Sequence, residues 1–92
     1  MDKLDITLKL YGGLERYINN YNHERGVSLK LDYGQTAADL LKKTGIPKNK
    51  LVLIMADDKI IHFDYILKQN DVIKMFPPIG GGIKNIYISY IN

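Results

Sequence analysis

Residues 76–82 read FPPIGGG, and of all stretches in the chain this one best suits chemistry carried by the backbone itself. Proline lacks an N–H and favours extended backbone at the residue before it, so a strand must stop there and the chain leaves straight. Glycines at the tip present only main chain, which can thread a narrow channel and bring a carbonyl close to a reactive centre. Fully extended, Pro77 to Gly82 reaches roughly 20 Å. Such a stalk can hand a C-terminal carboxylate to another enzyme, yet ten residues, IKNIYISYIN, follow Gly82. The amide between Gly82 and Ile83 is resonance-stabilised and offers no carboxylate oxygen. A plain linker is the competing reading of the same residues.

The other chemistry-bearing side chains have simpler explanations. There is no cysteine, which removes disulfides, thiolate nucleophiles and cysteine-held metals together. His23 and His62 are the only histidines, and neither has a partner at metal-ligand spacing. Asp57, Asp58, Asp64 and Asp71 sit where turns are predicted, and aspartate favours turns for local hydrogen bonding. Gly12-Gly13 lacks the rest of a phosphate-binding fingerprint. The net charge is +3, and the lysines are spread out with only small groupings such as Lys42, Lys43, Lys48 and Lys50, which argues against a nucleic-acid partner. No apolar run approaches the roughly 20 residues of a membrane span, and the first residues lack a signal-peptide hydrophobic region, so a cytoplasmic protein is expected.

The elements that must position the stalk are legible in the patterning. With 92 residues the chain forms one small domain. Leu4, Ile6, Leu8 and Leu10 alternate with Asp5, Thr7 and Lys9, a strand with one buried face. Gly12-Gly13 breaks it, and Leu14, Tyr17 and Ile18 recur at helical spacing. Val27, Leu29, Leu31 and Tyr33 against Ser28, Lys30 and Asp32 predict a second half-buried strand. Residues 35–45 carry helix punctuation at both ends: Thr36 with Asp39 as a capping box and Gly45 as a left-handed terminator. Pro47 prevents continuation. LVLIMA, residues 51–56, predicts a buried strand, Asp57-Asp58 a turn, Lys59 to Phe63 a short strand, Asn70-Asp71 a turn, and Val72 to Phe76 a last core strand. This order predicts an α+β domain with one helix packed across a mixed sheet.

On these residues the chain resembles the MoaD/ThiS family of ubiquitin-like sulfur carriers. The strand followed by LYGGLERY, the segment GQTAADLLKKTGI, the run DYILKQNDVIKMF and above all FPPIGGG fall in the family's order, and the likeness covers residues 1–82. The length to Gly82 and the FPP motif are closer to the molybdopterin-synthase small subunit than to the thiazole-pathway carrier. Asp57-Asp58 replaces the family's usual Asn-Gly turn, a departure that touches a hairpin and not the chemistry. The resemblance implies a β-grasp fold. It further implies that Gly82, once terminal, is adenylated by an E1-like enzyme using ATP and Mg²⁺ and converted to a thiocarboxylate. Phe76, Pro77, Pro78, Ile79, Gly80 and Gly81 would then form the partner-binding tail. The carrier itself would bind no cofactor, and the molybdopterin-synthase large subunit is a further implied partner.

Residues 83–92 stand outside the family pattern and leave three accounts open. A processing protease removes them; or they stay, as a strand added to the sheet in a non-catalytic interaction or regulatory module; or they are a nearly neutral extension. Ile86, Ile88 and Tyr90 alternate with Tyr87, Ser89 and Ile91, which reads as a strand with two apolar faces.

Overall fold

The computed structural model describes residues 3–51 and 53–78. Five strands and one α-helix follow in the order β1 (Leu4–Leu10), β2 (Val27–Leu31), α1 (Ala37–Thr44), β3 (Leu53–Ala56), β4 (Lys59–Ile61) and β5 (Val72–Phe76). Single 3-10 turns at Leu14–Tyr17 and Lys48–Lys50 fill two of the connections. The sheet order is β2-β1-β5-β3-β4. β1 and β5 pair in parallel at its centre, and every other pairing is antiparallel. This is a mixed β-grasp sheet with α1 across one face.

The alternation in β1 explains the layering. Leu4, Ile6, Leu8 and Leu10 are buried while the residues between them are half-buried, and in β5 Ile73 and Met75 are fully buried between half-buried neighbours. Ala37, Leu40 and Leu41 of α1 close over these side chains in the main core cluster. Each large apolar side chain so buried contributes roughly 1.5–3 kcal/mol. The helix is capped as its sequence predicts. Thr36 Oγ1 accepts from Asp39 N at 3.3 Å, Asp39 Oδ2 accepts from Thr36 N at 2.9 Å, and Gly45 takes the left-handed φ of 79°.

Three sequence expectations shift at their edges. β2 ends at Leu31, and Tyr33 is 61% exposed instead of core-facing, because the chain turns at Gly34 with φ 90°. β4 stops at Ile61 short of Phe63, whose carbonyl instead accepts from the first turn of the helix, Ala38 N at 3.0 Å. Leu51 terminates the 3-10 turn at Lys48–Lys50, so β3 begins at Leu53 and not at residue 51. Asp57, at φ 53°, makes the β3–β4 hairpin in place of an Asn-Gly turn. The C-terminal strand anticipated over residues 86–91 lies outside the described residues.

Candidate functional site: the exit of the C-terminal stalk

β5 is the middle strand of the sheet, so the chain that leaves it starts from the centre of the domain. Pairing with β1 in parallel puts the C-terminal ends of both strands side by side: Lys9 lies opposite Lys74 and Leu10 opposite Met75. The ladder runs one residue past β1, with Tyr11 N donating to Met75 O at 3.2 Å. Tyr11 thereby reaches Phe76, and their rings stack with centroids 4.7 Å apart and planes 7° from parallel. Aromatic pairs in this separation range add about 0.5–1.5 kcal/mol beyond their burial, enough to hold the last strand residue before the prolines in place.

Gly12 then allows the stalk to pass. Its φ is +63°, and a Cβ there would sit 2.5 Å from Pro77 Cγ and 2.8 Å from Pro77 Cδ. Both the backbone conformation and the close approach require glycine. Gly13 N donates to Glu15 Oε1 at 2.7 Å, which ties the glycine pair to the following 3-10 turn. Pro77 is half-buried and Pro78 exposed. Around them Gly12, Gly13, Arg16, Tyr17 and Lys50 line an open depression of about 320 Å³.

Of the seven residues expected to act in the tail, Phe76, Pro77 and Pro78 are placed together at this exit, and Ile79, Gly80, Gly81 and Gly82 lie outside the described residues. Tyr11, Gly12, Arg16 and Lys50 join the site without having been singled out for it. The signal for Gly12 was present as a glycine pair directly after a strand. Nothing local ties Tyr11 to Phe76, since 65 positions separate them.

Among the remaining candidates, Asp57 and Asp71 take part in turns. His23 Nδ1 lies 3.9 Å from Glu15 Oε2, and no cluster of metal-ligating side chains occurs among the described residues. Asp71 is buried and accepts at Oδ2 from Tyr65 Oη at 2.8 Å and from Lys68 N at 2.9 Å. Burial, followed by the hydrogen bond to Asp71, pushes the Tyr65 phenol up to about 12. Among the described residues no helix is long and apolar enough to cross a membrane.

Solved structures share the fold. Small archaeal modifier protein 1 of Haloferax volcanii superposes with a TM-score of 0.64 at 15% identity, over 83% of this chain and 99% of that one. The HVO 2177 protein of the same organism gives 0.67 at 14%, over 87% and 88%. Urm1 from Trypanosoma brucei gives 0.54 at 21%, over 89% and 99%. At these identities the likeness is one of fold. No curated protein matches the chain. The sequence profile of the ThiS family matches residues 16–82, well over half of the chain and including the whole of the stalk. With a β-grasp sheet whose central strand runs into that stalk, the chain belongs to the ThiS family of ubiquitin-like sulfur carriers.

Proposed function

We propose that the chain is a sulfur donor that works through the carboxylate of Gly82 after residues 83–92 have been removed by a protease. Ubiquitin-like sulfur carriers generally work with E1-like adenylating enzymes. In this reading such an enzyme binds the domain in the cytoplasm, and Phe76, Pro77, Pro78, Ile79, Gly80 and Gly81 carry Gly82 into its site. The Gly82 carboxylate attacks the α-phosphorus of ATP held there with Mg²⁺, and pyrophosphate leaves. A sulfide equivalent delivered by the partner system then attacks the acyl carbon, AMP leaves, and a thiocarboxylate remains. Its sulfur goes to a biosynthetic acceptor of the molybdopterin or thiazole type, with the molybdopterin-synthase large subunit as the partner in the former case. This chain supplies position and reach, while ATP and Mg²⁺ stay with the partner.

The observation that carries this reading is the span of the family match, which stops at Gly82 with ten residues still to come. The geometry of the exit agrees with it. Pro77, directly after a central strand and close against Gly12, starts the tail from a fixed point, which reduces the entropy lost when an enzyme captures the tip.

Two measurements test it. Intact mass of the protein isolated from its own host is expected to give a chain ending at Gly82. The form truncated at Gly82, incubated with the host's E1-like enzyme, ATP, Mg²⁺ and sulfide, is expected to release pyrophosphate and gain the mass of an oxygen-to-sulfur exchange, whereas the form that keeps residues 83–92 does neither. A native chain that retains those residues, or a truncated chain that is never adenylated, overturns the proposal in favour of an interaction module.

A further inference from the structure

The helix side of the domain carries a groove that the stalk chemistry does not use. Ala38, Leu41 and Lys42 of α1, Ile46 and Lys48 after it, and Phe63 after β4 line a depression of about 220 Å³. Leu41 and Ile46 belong to the buried core, and Ala38 and Phe63 are half-buried. The lining contains no acid. Its two lysines can lay their carbon stems along the groove while the charged heads stay in water. Lys48 already does more, since its Nζ stands 4.5 Å from the centroid of the Phe63 ring. That places a cation over an aromatic face.

This groove adjoins the exit of the stalk. Lys48 lines it, while Asn49 and Lys50 of the same 3-10 turn line the depression that holds Pro77 and Pro78. Two residues of chain separate Lys48 from Lys50, at most about 7.6 Å between Cα atoms. Seven residues, 79–85, connect Pro78 to Ile86, and they can reach about 23 Å. Residues 86–91 read IYISYI, with no charge and no proline, and Ile86, Ile88 and Tyr90 share one face when extended. A run of this kind left in water is an aggregation hazard. On so short a tether it meets a nearby groove at an effective concentration in roughly the millimolar range, so even a weakly binding groove is filled by it.

We infer that residues 86–91 dock in this groove of their own domain for as long as they remain attached, with Ile86, Ile88 and Tyr90 turned onto Ala38, Leu41, Ile46 and Phe63. The Tyr90 ring then offers Lys42 or Lys48 a second aromatic face. Docking covers the apolar run, and it fixes the chain on both sides of the glycines: at Pro77 by the contact with Gly12, and from Ile86 onward by the groove. Gly80, Gly81, Gly82 and Ile83 cross between these two points as a span with almost no side chains. A processing protease would meet that span first, which selects the Gly82–Ile83 region over the rest of the tail. This last step rests on the proposed function; the docking itself does not.

Because the chain has no cysteine, a nitroxide on Ser89→Cys of the 92-residue protein reports a single position. Ser89 faces the other way from Ile88 in an extended run, so the label leaves the docking face free. Paramagnetic broadening is expected at the amides of Ala38, Leu41, Ile46 and Phe63, unchanged between about 50 and about 300 mM salt. In I86D/I88D it should vanish, and the groove shifts should coincide with those of the form truncated at Gly82. Broadening centred on β2 or on Lys59–Ile61 of β4, or spread over the whole surface, overturns the inference. So does broadening of an isotope-labelled chain by a spin-labelled copy without isotope, the sign of docking between copies. In a second arm, A38E puts a charged side chain into the groove and leaves the tail sequence intact. Proteinase K is expected to cut within residues 86–91 about tenfold or more faster in A38E than in the parent, whose first cuts fall within residues 79–85; equal rates overturn the inference. I86D/I88D lies outside the domain and decides the matter whatever A38E does to folding. A native chain that retains residues 83–92 counts against the proposed function alone, and a chain processed at Gly82 whose precursor shows no groove contact counts against this inference alone.

Discussion

Single residues carry the polar interior of this domain, and the clearest case is Asp71 with Tyr65. The sequence reading placed Asp71 at a turn as a local hydrogen-bond acceptor. It accepts from Lys68 N three residues back, as such a turn requires, but it is also buried and bonded to the Tyr65 phenol. Tyr65→Phe is therefore expected to cost about 1.5–3 kcal/mol, the range for a hydrogen bond to a charged group, measured by denaturant unfolding at neutral pH. The pH dependence has a definite sign. The folded phenol is held at about 12 against an ordinary 10.0, so the folded state keeps its proton where the unfolded state loses it. That contribution is fully present below pH 10 and is lost as pH rises toward 12. Tyr65→Phe should remove this component of the alkaline decline, and a parent whose stability is flat over that window would contradict it.

At the scale of elements, α1 shows local signals and tertiary structure agreeing. Thr36, Asp39 and Gly45 marked its two ends in the sequence, and the capping box and left-handed terminator occupy those positions. Thr36→Ala is expected to lower stability by about 1 kcal/mol, seen as a lower thermal midpoint with the helix retained. Retention follows from bonds the sequence did not reveal: Ala37 N and Ala38 N donate to Tyr65 O and Phe63 O. The same bonds explain why the strand expected to reach Phe63 stops at Ile61. A carbonyl given to the helix N-terminus is no longer free for a sheet ladder, and propensity within residues 59–63 contains no trace of that competition.

At the scale of the whole molecule, the direction in which the stalk leaves depends on a contact between residues 12 and 77. Gly12→Ala should cost more than about 1 kcal/mol, since it strains a positive φ and collides with the Pro77 ring. Chemical shifts at Pro77 and Phe76 should move with it, while Gly13→Ala, also at positive φ but with open space around it, should lower stability and leave Pro77 in place. Equal disturbance of Pro77 by both variants would show that the proline does not lean on Gly12.

The sequence by itself determined which face of the first strand is buried, where the helix begins and ends, and the bare character of FPPIGGG. These are local properties: alternation, caps and the backbone limits of proline and glycine act over a few residues. Tertiary structure alone decided that the first strand lies parallel to the last. That pairing brings Tyr11 onto Phe76, Gly12 against Pro77 and Lys9 beside Lys74. Periodicity states that a strand has an outer face but not which strand will lie next to it. The neighbour is chosen by how the whole chain closes over one core, because a parallel pair needs a long crossover and cannot be set by any turn between its members.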